Sequence, residues 1–344
     1  MRSVIKRICK VHGDKVINYI QNTPLSSYKL RGENIIKGVN KLELNKIYNM
    51  DCIEYMKTLP SKSVDLIVVD PPYFRILKED WDKFKDVNEY LTWSEEYLKL
   101  CVDKLRLSGT LILYGCTRNF NILCELNSIL INNGMYFVQE IIIDKGIKSV
   151  AGRTSPNIKM LPPVTENILV YRRDAKPYIK EILLKKQKEL NMSTKDIKLK
   201  MGFPLNGGGN WTKYCGNTEF PLLPTEEHWN KLRDILSIDI NYKDIKETYN
   251  PIFGLTNVWS DINFYTKDRQ HPSQKPLQLC SRINKLFSDE NDLVYIPFAG
   301  SGSDIVACIE TDRNYIATEL NNEYIEEIIK PRIKDVLIKP KLNE

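Results

Sequence analysis

The stretch VDLIVVDPPY, residues 64–73, decides the fold. Its first six residues are almost entirely apolar, which is typical of a strand covered by helices on both faces of a parallel sheet. The two prolines that follow fix the backbone angle φ and lack N–H donors, so we expect the strand to end in a rigid loop. Ligands of open parallel sheets bind in loops at the carboxyl ends of strands. The stretch therefore predicts a buried central strand and, directly after it, a functional loop.

Similar apolar runs recur along the chain and are bounded by turn residues. They predict further strands at residues 110–114, 136–143, 167–171, 293–296 and 315–319. Apolar residues at helical spacing predict helices at residues 87–105, 120–132, 276–287 and 303–310. Because strands and helices alternate, the sequence predicts an α/β fold with a doubly wound, mostly parallel sheet.

Residues 175–255 interrupt this alternation. They predict helices at 178–190, 194–201, 226–235 and 243–249, with a glycine-rich loop at 206–211 and no comparable strand. We interpret the segment as an inserted helical subdomain. Two short helices around a turn suit a DNA groove, and they suit simple packing equally well. The predicted parts are a basic N-terminal extension (1–43), the first half of an α/β domain (44–174), the insertion (175–255), the second half of the domain (256–335) and a C-terminal tail (336–344).

Composition excludes several protein classes. The chain has 344 residues, of which 42% are hydrophobic and 27% charged, so we expect a folded protein with a full core. It contains no run of about 18 apolar residues and no apolar signal segment at its start, which predicts a cytoplasmic protein without a membrane partner. None of its eight cysteines forms a CxxC pair. We therefore predict neither a metal site nor a disulfide scaffold.

Positive charge is concentrated near the N-terminus. Residues 1–48 hold ten Lys or Arg and three acidic residues, although the whole chain carries a net charge of only +6. The remainder is therefore close to neutral. A basic arm on a near-neutral body suits a polyanionic partner such as a nucleic acid, and it also suits a solvated tail.

The loop DPPY at 70–73 suits a flat ring that carries an exocyclic amine. The Asp70 carboxylate and the Pro71 carbonyl would accept the two N–H bonds of the amine. Tyr73 would stack on the ring. The alternative is an ordinary turn, because Asp-Pro commonly opens turns.

A second loop, FAGSG at 298–302, follows a predicted strand and precedes a predicted helix. The glycines let a ligand approach the backbone, and the helix start offers free N–H groups. Glu319 lies 17 residues after the second glycine, close to the spacing at which an acid binds ribose hydroxyls. The third glycine of a dinucleotide fingerprint is missing, so the pattern favours a nucleoside-type cofactor.

Four motifs in one order resemble the DNA amino-methyltransferases that use S-adenosylmethionine, in the beta arrangement of that family. They are NMDC at 49–52, DPPY at 70–73, HPSQKP at 271–276 and FAGSG at 298–302. The resemblance covers residues 44–335 and implies a Rossmann-like methyltransferase fold whose helical insertion recognises the target. The chain departs from the family at Ile296, where the family usually has Asp, and we therefore expect a reshaped cofactor pocket.

The resemblance implies a role for each matching residue. The implied catalytic residues are Asp70, Pro71, Pro72 and Tyr73. The implied cofactor-binding residues are Asp51, Cys52, Ser273, Lys275, Phe298, Ala299, Gly300, Ser301, Gly302 and Glu319. Asp51 would contact the adenine of the cofactor and Glu319 its ribose, with Ser273 and Lys275 near its carboxylate. Phe74 and Trp81 either complete the target-base pocket or pack in the core. DNA contacts are expected from the insertion, at Asn206, Asn210, Trp211 and Lys213.

The reaction implied by the resemblance is methyl transfer from S-adenosylmethionine to the N6 amine of an adenine flipped out of double-stranded DNA. An aspartate at the start of the catalytic motif resembles the adenine branch of the family, whereas serine is more typical of cytosine-N4 enzymes. Methylation of cytosine N4 or of an RNA amine stays open, as does a catalytically silent DNA-binding protein. Further expectations are a prokaryotic or phage source, and a homodimer or a companion restriction endonuclease as partners.

Overall fold

The computed structural model describes residues 42–74, 84–115, 120–150, 161–206, 209–216, 222–265 and 274–338. Most of the predicted N-terminal extension, Trp81 and Ser273 lie outside these ranges. The described strands are β1 (Lys46–Asn49), β2 (Val64–Val69), β3 (Leu105–Gly115), β4 (Met135–Asp144), β5 (Thr165–Arg173), β6 (Val258–Trp259), β7 (Leu293–Ile296) and β8 (Asn314–Glu319).

Helices connect these strands and build the segment between β5 and β6. The described α-helices are α1 (Cys52–Thr58), α2 (Val87–Lys104), α3 (Phe120–Asn132), α4 (Lys176–Glu189), α5 (Thr194–Met201), α6 (Gly209–Cys215), α7 (Glu226–Leu236), α8 (Tyr242–Ile245), α9 (Leu277–Phe287), α10 (Ser303–Glu310) and α11 (Lys330–Ile338). A 3-10 helix covers Ile147–Val150, and a π-helical segment at Tyr324–Ile329 leads into α11.

The strands form one sheet in the order β1-β8-β7-β2-β3-β5-β4-β6. All neighbouring pairs are parallel except those of β5, which runs antiparallel to both β3 and β4. The predicted α/β fold with a mostly parallel sheet is confirmed. The reversed direction of β5 was not predicted, because apolar runs show where a strand lies and not which way it points.

Strand β2 lies near the middle of the sheet. All six residues of β2 are buried, and Leu66 pairs with Thr110 of β3 on one side and Val294 of β7 on the other. Alternate residues of β2 enter different cores. Ile67 and Val69 pack toward α1, α2 and α3, whereas Leu66 and Val68 pack toward α9 and α10. Helices on both faces explain why β2 is apolar almost throughout.

Helices α4 to α8 surround a third core. Trp229 is fully buried there, and its indole N–H donates to the carbonyl of Ile240 at 2.9 Å. Trp211 lies in the same core. Within the described ranges, residues 176–245 form only helices and loops.

Two predictions for this segment were wrong in detail. Helix α6 begins at Gly209, inside the predicted glycine-rich loop, because Trp211 and Tyr214 find buried positions in the third core. The helix predicted at 243–249 ends at Ile245. Beyond that point Arg106 of β3 donates to the Lys246 carbonyl at 2.8 Å, which takes the chain out of helical hydrogen bonding.

Candidate active site

The sheet brings the carboxyl ends of four strands to one edge. Strands β1, β8, β7 and β2 are neighbours and run parallel. Asp51, Glu319, the loop at 298–302 and Asp70 stand at or just beyond these four ends. The two loops predicted from the sequence are therefore adjacent in space, as parallel strand ends require.

Hydrogen bonds fix both oxygens of the Asp70 carboxylate. The Tyr73 hydroxyl donates to Oδ1 at 3.1 Å, and the Lys275 ammonium donates to Oδ2 at 2.7 Å. The Tyr90 hydroxyl of α2 donates to the Pro72 carbonyl at 3.0 Å. The loop that presents Asp70 is thus held from two directions, by α2 and by the segment that leads into α9.

Lys275 is a buried cation, 5% exposed. Its Nζ lies 4.8 Å from the ring centre of Tyr114 and 5.7 Å from that of Tyr73. Burial by itself lowers the pKa of Lys275. The charges of Asp70, Glu166 and Asp304, together with the hydrogen bond to Asp70, outweigh burial and hold the pKa above its usual value. Lys275 therefore stays protonated inside the protein.

The loop at 298–302, called the glycine loop below, contains two glycines with positive φ. Gly300 and Gly302 have φ values of +51° and +74°, which side chains with a Cβ rarely adopt. A Cβ at Gly302 would also lie 2.8 Å from Cγ2 of Ile329, whereas one at Gly300 would meet no atom within 4 Å. Gly302 is needed for packing, and the backbone at Gly300 faces open space.

Glu319 is tied to the same loop. Its Oε2 accepts the Gly300 N–H at 2.8 Å and its Oε1 accepts the Asn321 N–H at 2.9 Å. Burial raises its pKa, against these backbone hydrogen bonds. A carboxylate at the end of β8 is therefore oriented beside the glycines.

The loop at 70–73, called the catalytic loop below, and the glycine loop are linked through two shared neighbours, Lys275 and α2. The Ser303 hydroxyl, at the start of α10, donates to the Lys275 carbonyl at 2.8 Å. Phe298 packs on Trp93 and Tyr97 of α2, with ring centres 5.7 and 5.3 Å apart. Since Tyr90 of the same helix bonds to Pro72, α2 contacts both loops.

Asp51 and Cys52 occupy structural positions at the start of α1. The Asp51 Oδ1 atom accepts the N–H groups of Ile53 and Glu54 at 2.9 and 3.2 Å, so this side chain caps the helix. The Cys52 side chain is 3% exposed and belongs to the core under α1 and α2. Any cofactor contact at Cys52 would have to come from its backbone.

The candidate DNA-contact residues differ in exposure. Asn206 and Lys213 are exposed and Asn210 is half-buried. Trp211, by contrast, is 3% exposed in the core of the helical segment, so its side chain packs there and does not face solvent. Only the first three have side chains at the surface.

A shallow cleft opens beside the loop at 70–73. Its walls include Pro71, Tyr73, Phe74, Tyr90, Tyr114 and Leu123. Phe74 lies 5.7 Å from Tyr90 between ring centres, so it is both a core contact and a wall of the cleft. The remaining wall residues are Gly115, Ile122 and Leu126, so four of the nine are aromatic. An apolar wall with several aromatic rings suits a flat ring.

Several site residues were not predicted from the sequence. One face of α2 is aromatic, because Tyr90, Trp93 and Tyr97 recur at helical spacing. This spacing could have predicted the face from the sequence. Tyr114 gives no signal, because it ends the apolar run 111–114 of β3 and looks like one more core residue. Asp304 lies in the first turn of α10, ahead of five apolar residues at 305–309, and its burial is visible only in the structure.

The described ranges contain no group of three His, Cys, Asp or Glu placed to hold a metal ion. In that part of the chain, no helix has the length and apolar character needed to cross a membrane.

Comparison with known proteins gives a family match over residues 64–330, to the model N6_N4_Mtase, described as DNA methylase. Similar curated proteins include the type II methyltransferase M1.MboII of Moraxella bovis, 28% identical over 83% of this chain and 95% of that protein. The type II methyltransferase M.HinfI of Haemophilus influenzae is 26% identical over 88% of this chain and 71% of that protein.

Solved structures show the same fold. A DNA modification methylase of Thermus thermophilus, TTHA0409, solved in complex with S-adenosyl-L-methionine, superposes with a TM-score of 0.50 at 16% identity. The match covers 86% of this chain and 95% of that protein.

Proposed function

The chain belongs to the N6_N4_Mtase family of DNA methylases, and from that premise we propose that it transfers a methyl group from S-adenosylmethionine to the N6 amine of adenine in duplex DNA. The observation that carries the proposal is the Asp70 carboxylate, which is held by Tyr73 and Lys275 and directly precedes Pro71 in the wall of an apolar cleft with four aromatic rings. Adenine must leave the base stack to reach it.

The residues at the sheet edge fit the methyl donor. Open space above Gly300, the free N–H groups at the start of α10 and the Glu319 carboxylate suit a nucleoside with a charged amino-acid tail. Bound S-adenosylmethionine supplies a methyl group on a positively charged sulfur, which leaves as a neutral thioether. We assign its binding to the glycine loop, Glu319 and the backbone at 51–52.

The catalytic loop acts on the amine of the target base. An aromatic amine is a poor nucleophile because its lone pair is delocalised into the ring. Asp70 and the Pro71 carbonyl accept the two N–H bonds of the amine and so favour a nitrogen whose lone pair points at the methyl carbon. Positioning of the two reactants supplies much of the remaining rate increase. The new N–C bond leaves the nitrogen cationic, and its extra proton passes to Asp70 or to water.

Adenine is proposed as the base because an acid opens the catalytic motif. Asp70 and the Pro71 carbonyl would accept the two amine N–H bonds of either adenine or cytosine, so cytosine N4 is the second candidate. A silent DNA-binding protein is the third, on the ground that Ile296 replaces the usual acid. Ile296 is 1% exposed within an apolar core.

DNA recognition is assigned to the surface of the helical segment. Asn206, Asn210 and Lys213 have side chains at its surface, and the buried Trp211 stabilises the helix that carries two of them. A DNA substrate also implies a cytoplasmic location. Since the curated relatives are type II methyltransferases, a companion restriction endonuclease is part of the proposal, and a homodimer stays a prediction.

The proposal is tested by mass spectrometry of nucleosides from unmethylated DNA incubated with the protein and S-adenosylmethionine. N6-methyladenine is the expected product. N4-methylcytosine would keep the mechanism and replace the base. Absence of any modified base, with DNA still bound, would favour the silent binding protein.

A further inference from the structure

Lys275 joins the two functional loops through different atoms. Its Nζ donates to Asp70 Oδ2 in the catalytic loop at 2.7 Å. Its backbone carbonyl accepts the Ser303 hydroxyl at 2.8 Å, directly after the glycine loop. A shift of either loop therefore moves the residue that holds the other.

The space around Lys275 is unusually rich in buried charge. The negative charges of Glu166 in β5 and Asp304 in α10 raise the pKa of Lys275, in addition to that of Asp70. Asp304 is 6% exposed, and its Oδ1 has no hydrogen-bond partner in the part of the chain that the structure describes. Burying such a carboxylate costs free energy. An ionised Asp304 therefore needs an opposite charge nearby to offset this cost.

The charged and titratable groups that face Asp304 come from four other elements of the fold. They are Asp70 after β2, Tyr114 of β3, Lys275 and Cys280 at α9, and Arg332 of α11. Burial raises the pKa of Asp304 to about 6, a hydrogen bond from Cys280 and the charge of Lys275 oppose the rise, and the charge of Asp70 adds to it. Near neutral pH the carboxylate is mostly ionised and attracts Lys275.

We propose that Lys275 is a positioning residue for methyl transfer, which holds the Asp70 carboxylate toward the target amine, and that Asp304 is the buried counter-charge that keeps Lys275 in place. The inference rests on the proposed function and adds two residues to its machinery. In this proposal Lys275 binds Asp70 of the catalytic loop. The sequence motif had instead placed Lys275 near the carboxylate of the cofactor.

Three observations favour the catalytic loop over the cofactor. The Lys275 ammonium already donates one hydrogen bond to Asp70. The Nζ lies over the ring of Tyr114, and the residue is 5% exposed, so little of the ammonium is accessible to a further anion. Lys275 occupies Oδ2 of Asp70, and Tyr73 uses one lone pair of Oδ1. The second lone pair of Oδ1 remains for the target amine.

Kinetics with separate measurement of cofactor affinity tests the proposal. We expect Lys275→Met to lower the single-turnover rate constant by on the order of 100-fold, with the Kd for S-adenosylmethionine changed less than about threefold. Asp304→Asn should lower the rate about tenfold, and Lys275→Arg less than Lys275→Met. The control is Lys285→Met at an exposed lysine of α9, the helix that follows Lys275, and it should change neither quantity. A Kd raised more than tenfold with the rate retained at saturation would make Lys275 a cofactor ligand and overturn the proposal.

A double-mutant cycle separates positioning from general loss of structure. In an Asp70→Asn background, Lys275→Met should add less than about a threefold loss, because the carboxylate that it positions is gone. An equal loss in both backgrounds would overturn the proposal.

A spectroscopic readout does not depend on activity. In protein labelled with ¹⁵N-lysine, a protected ammonium signal that disappears in Lys275→Arg should shift in Asp70→Asn and Asp304→Asn, and stay in place in Asp239→Asn, an exposed site. A signal that moves with S-adenosylmethionine and ignores Asp70→Asn would contradict the assignment. If the expected shifts occur but DNA is not methylated, the proposed function fails and the positioning contact stands.

Discussion

The catalytic edge and the helical segment place their polar groups in opposite ways. At the edge, Asp70, Lys275 and Asp304 are largely or fully enclosed and interact with one another. In the helical segment the core is apolar and aromatic, built on residues such as Trp229, while Lys213 is exposed. In the proposed mechanism, methyl transfer depends on buried charges whose geometry is fixed, and DNA binding depends on exposed side chains held by an apolar core. Substitutions in the two regions should therefore fail in different assays.

The largest effect on folding is expected from Trp229→Ala. The side chain is fully buried and its indole N–H bonds to the Ile240 carbonyl, so its loss should cost about 3–5 kcal/mol in the free energy of unfolding. Urea unfolding measures the cost. In the fraction that stays folded, the KM for DNA should rise while the Kd for S-adenosylmethionine changes little. An equal loss of cofactor affinity would show that the two regions are not separable.

Asp304→Asn should change how stability depends on pH. The folded-state pKa of about 6 is above the usual 3.8 of aspartate, chiefly because of burial. The folded protein therefore binds a proton more readily than the unfolded chain between these two pH values, and ionised Asp304 destabilises it above about pH 6.

At pH 8 the Asp304→Asn variant should accordingly be more stable than the original protein by about 2–3 kcal/mol. The gain should shrink as the pH falls from about 6 to 4. Urea midpoints at several pH values measure it, with Asp239→Asn as the control. A gain that persists at pH 4 would mean that burial of the charge is not its source.

Gly302→Ala tests the packing of the cofactor side. The residue has φ of +74° and the new Cβ would press on Ile329, so we expect a loss of about 1–3 kcal/mol and weaker cofactor binding. Gly254→Ala is the matched control, since Gly254 has φ of +78° and open space around it. Equal costs in the two variants would assign the whole effect to backbone strain.

The smallest effect belongs to the surface of the helical segment. Lys213→Ala should leave folding and cofactor affinity unchanged and lower the slope of log K for DNA against log salt by about 1. Binding measured over a series of salt concentrations gives the slope, with Lys285→Ala as the control. An unchanged slope would remove Lys213 from the DNA interface.

The same contrast explains how much could be predicted from the sequence. The bounds of β2 and β7, and of helices such as α3 and α5, follow from local apolar patterns and caps, so periodicity was sufficient. Both loops at the edge were also predicted, because each directly follows a buried strand.

Contacts between distant parts of the chain could not be predicted in this way. Lys275 and Asp70 are 205 residues apart, and no local pattern indicates that one holds the other. The end of α8 is set by Arg106 of β3, again across the fold. Local sequence predicts which residues carry chemistry, and only packing determines which partner each of them meets.

The central claim is that Asp70, held by Tyr73 and Lys275, directs methyl transfer to an amine of DNA. The most direct measurement compares methylation of unmethylated duplex DNA by the original protein, Asp70→Ala and Asp239→Ala at saturating S-adenosylmethionine. The account predicts N6-methyladenine from the first and third proteins, and a rate lowered by on the order of 1,000-fold in Asp70→Ala with cofactor affinity retained. Methylation by Asp70→Ala at the original rate would contradict it.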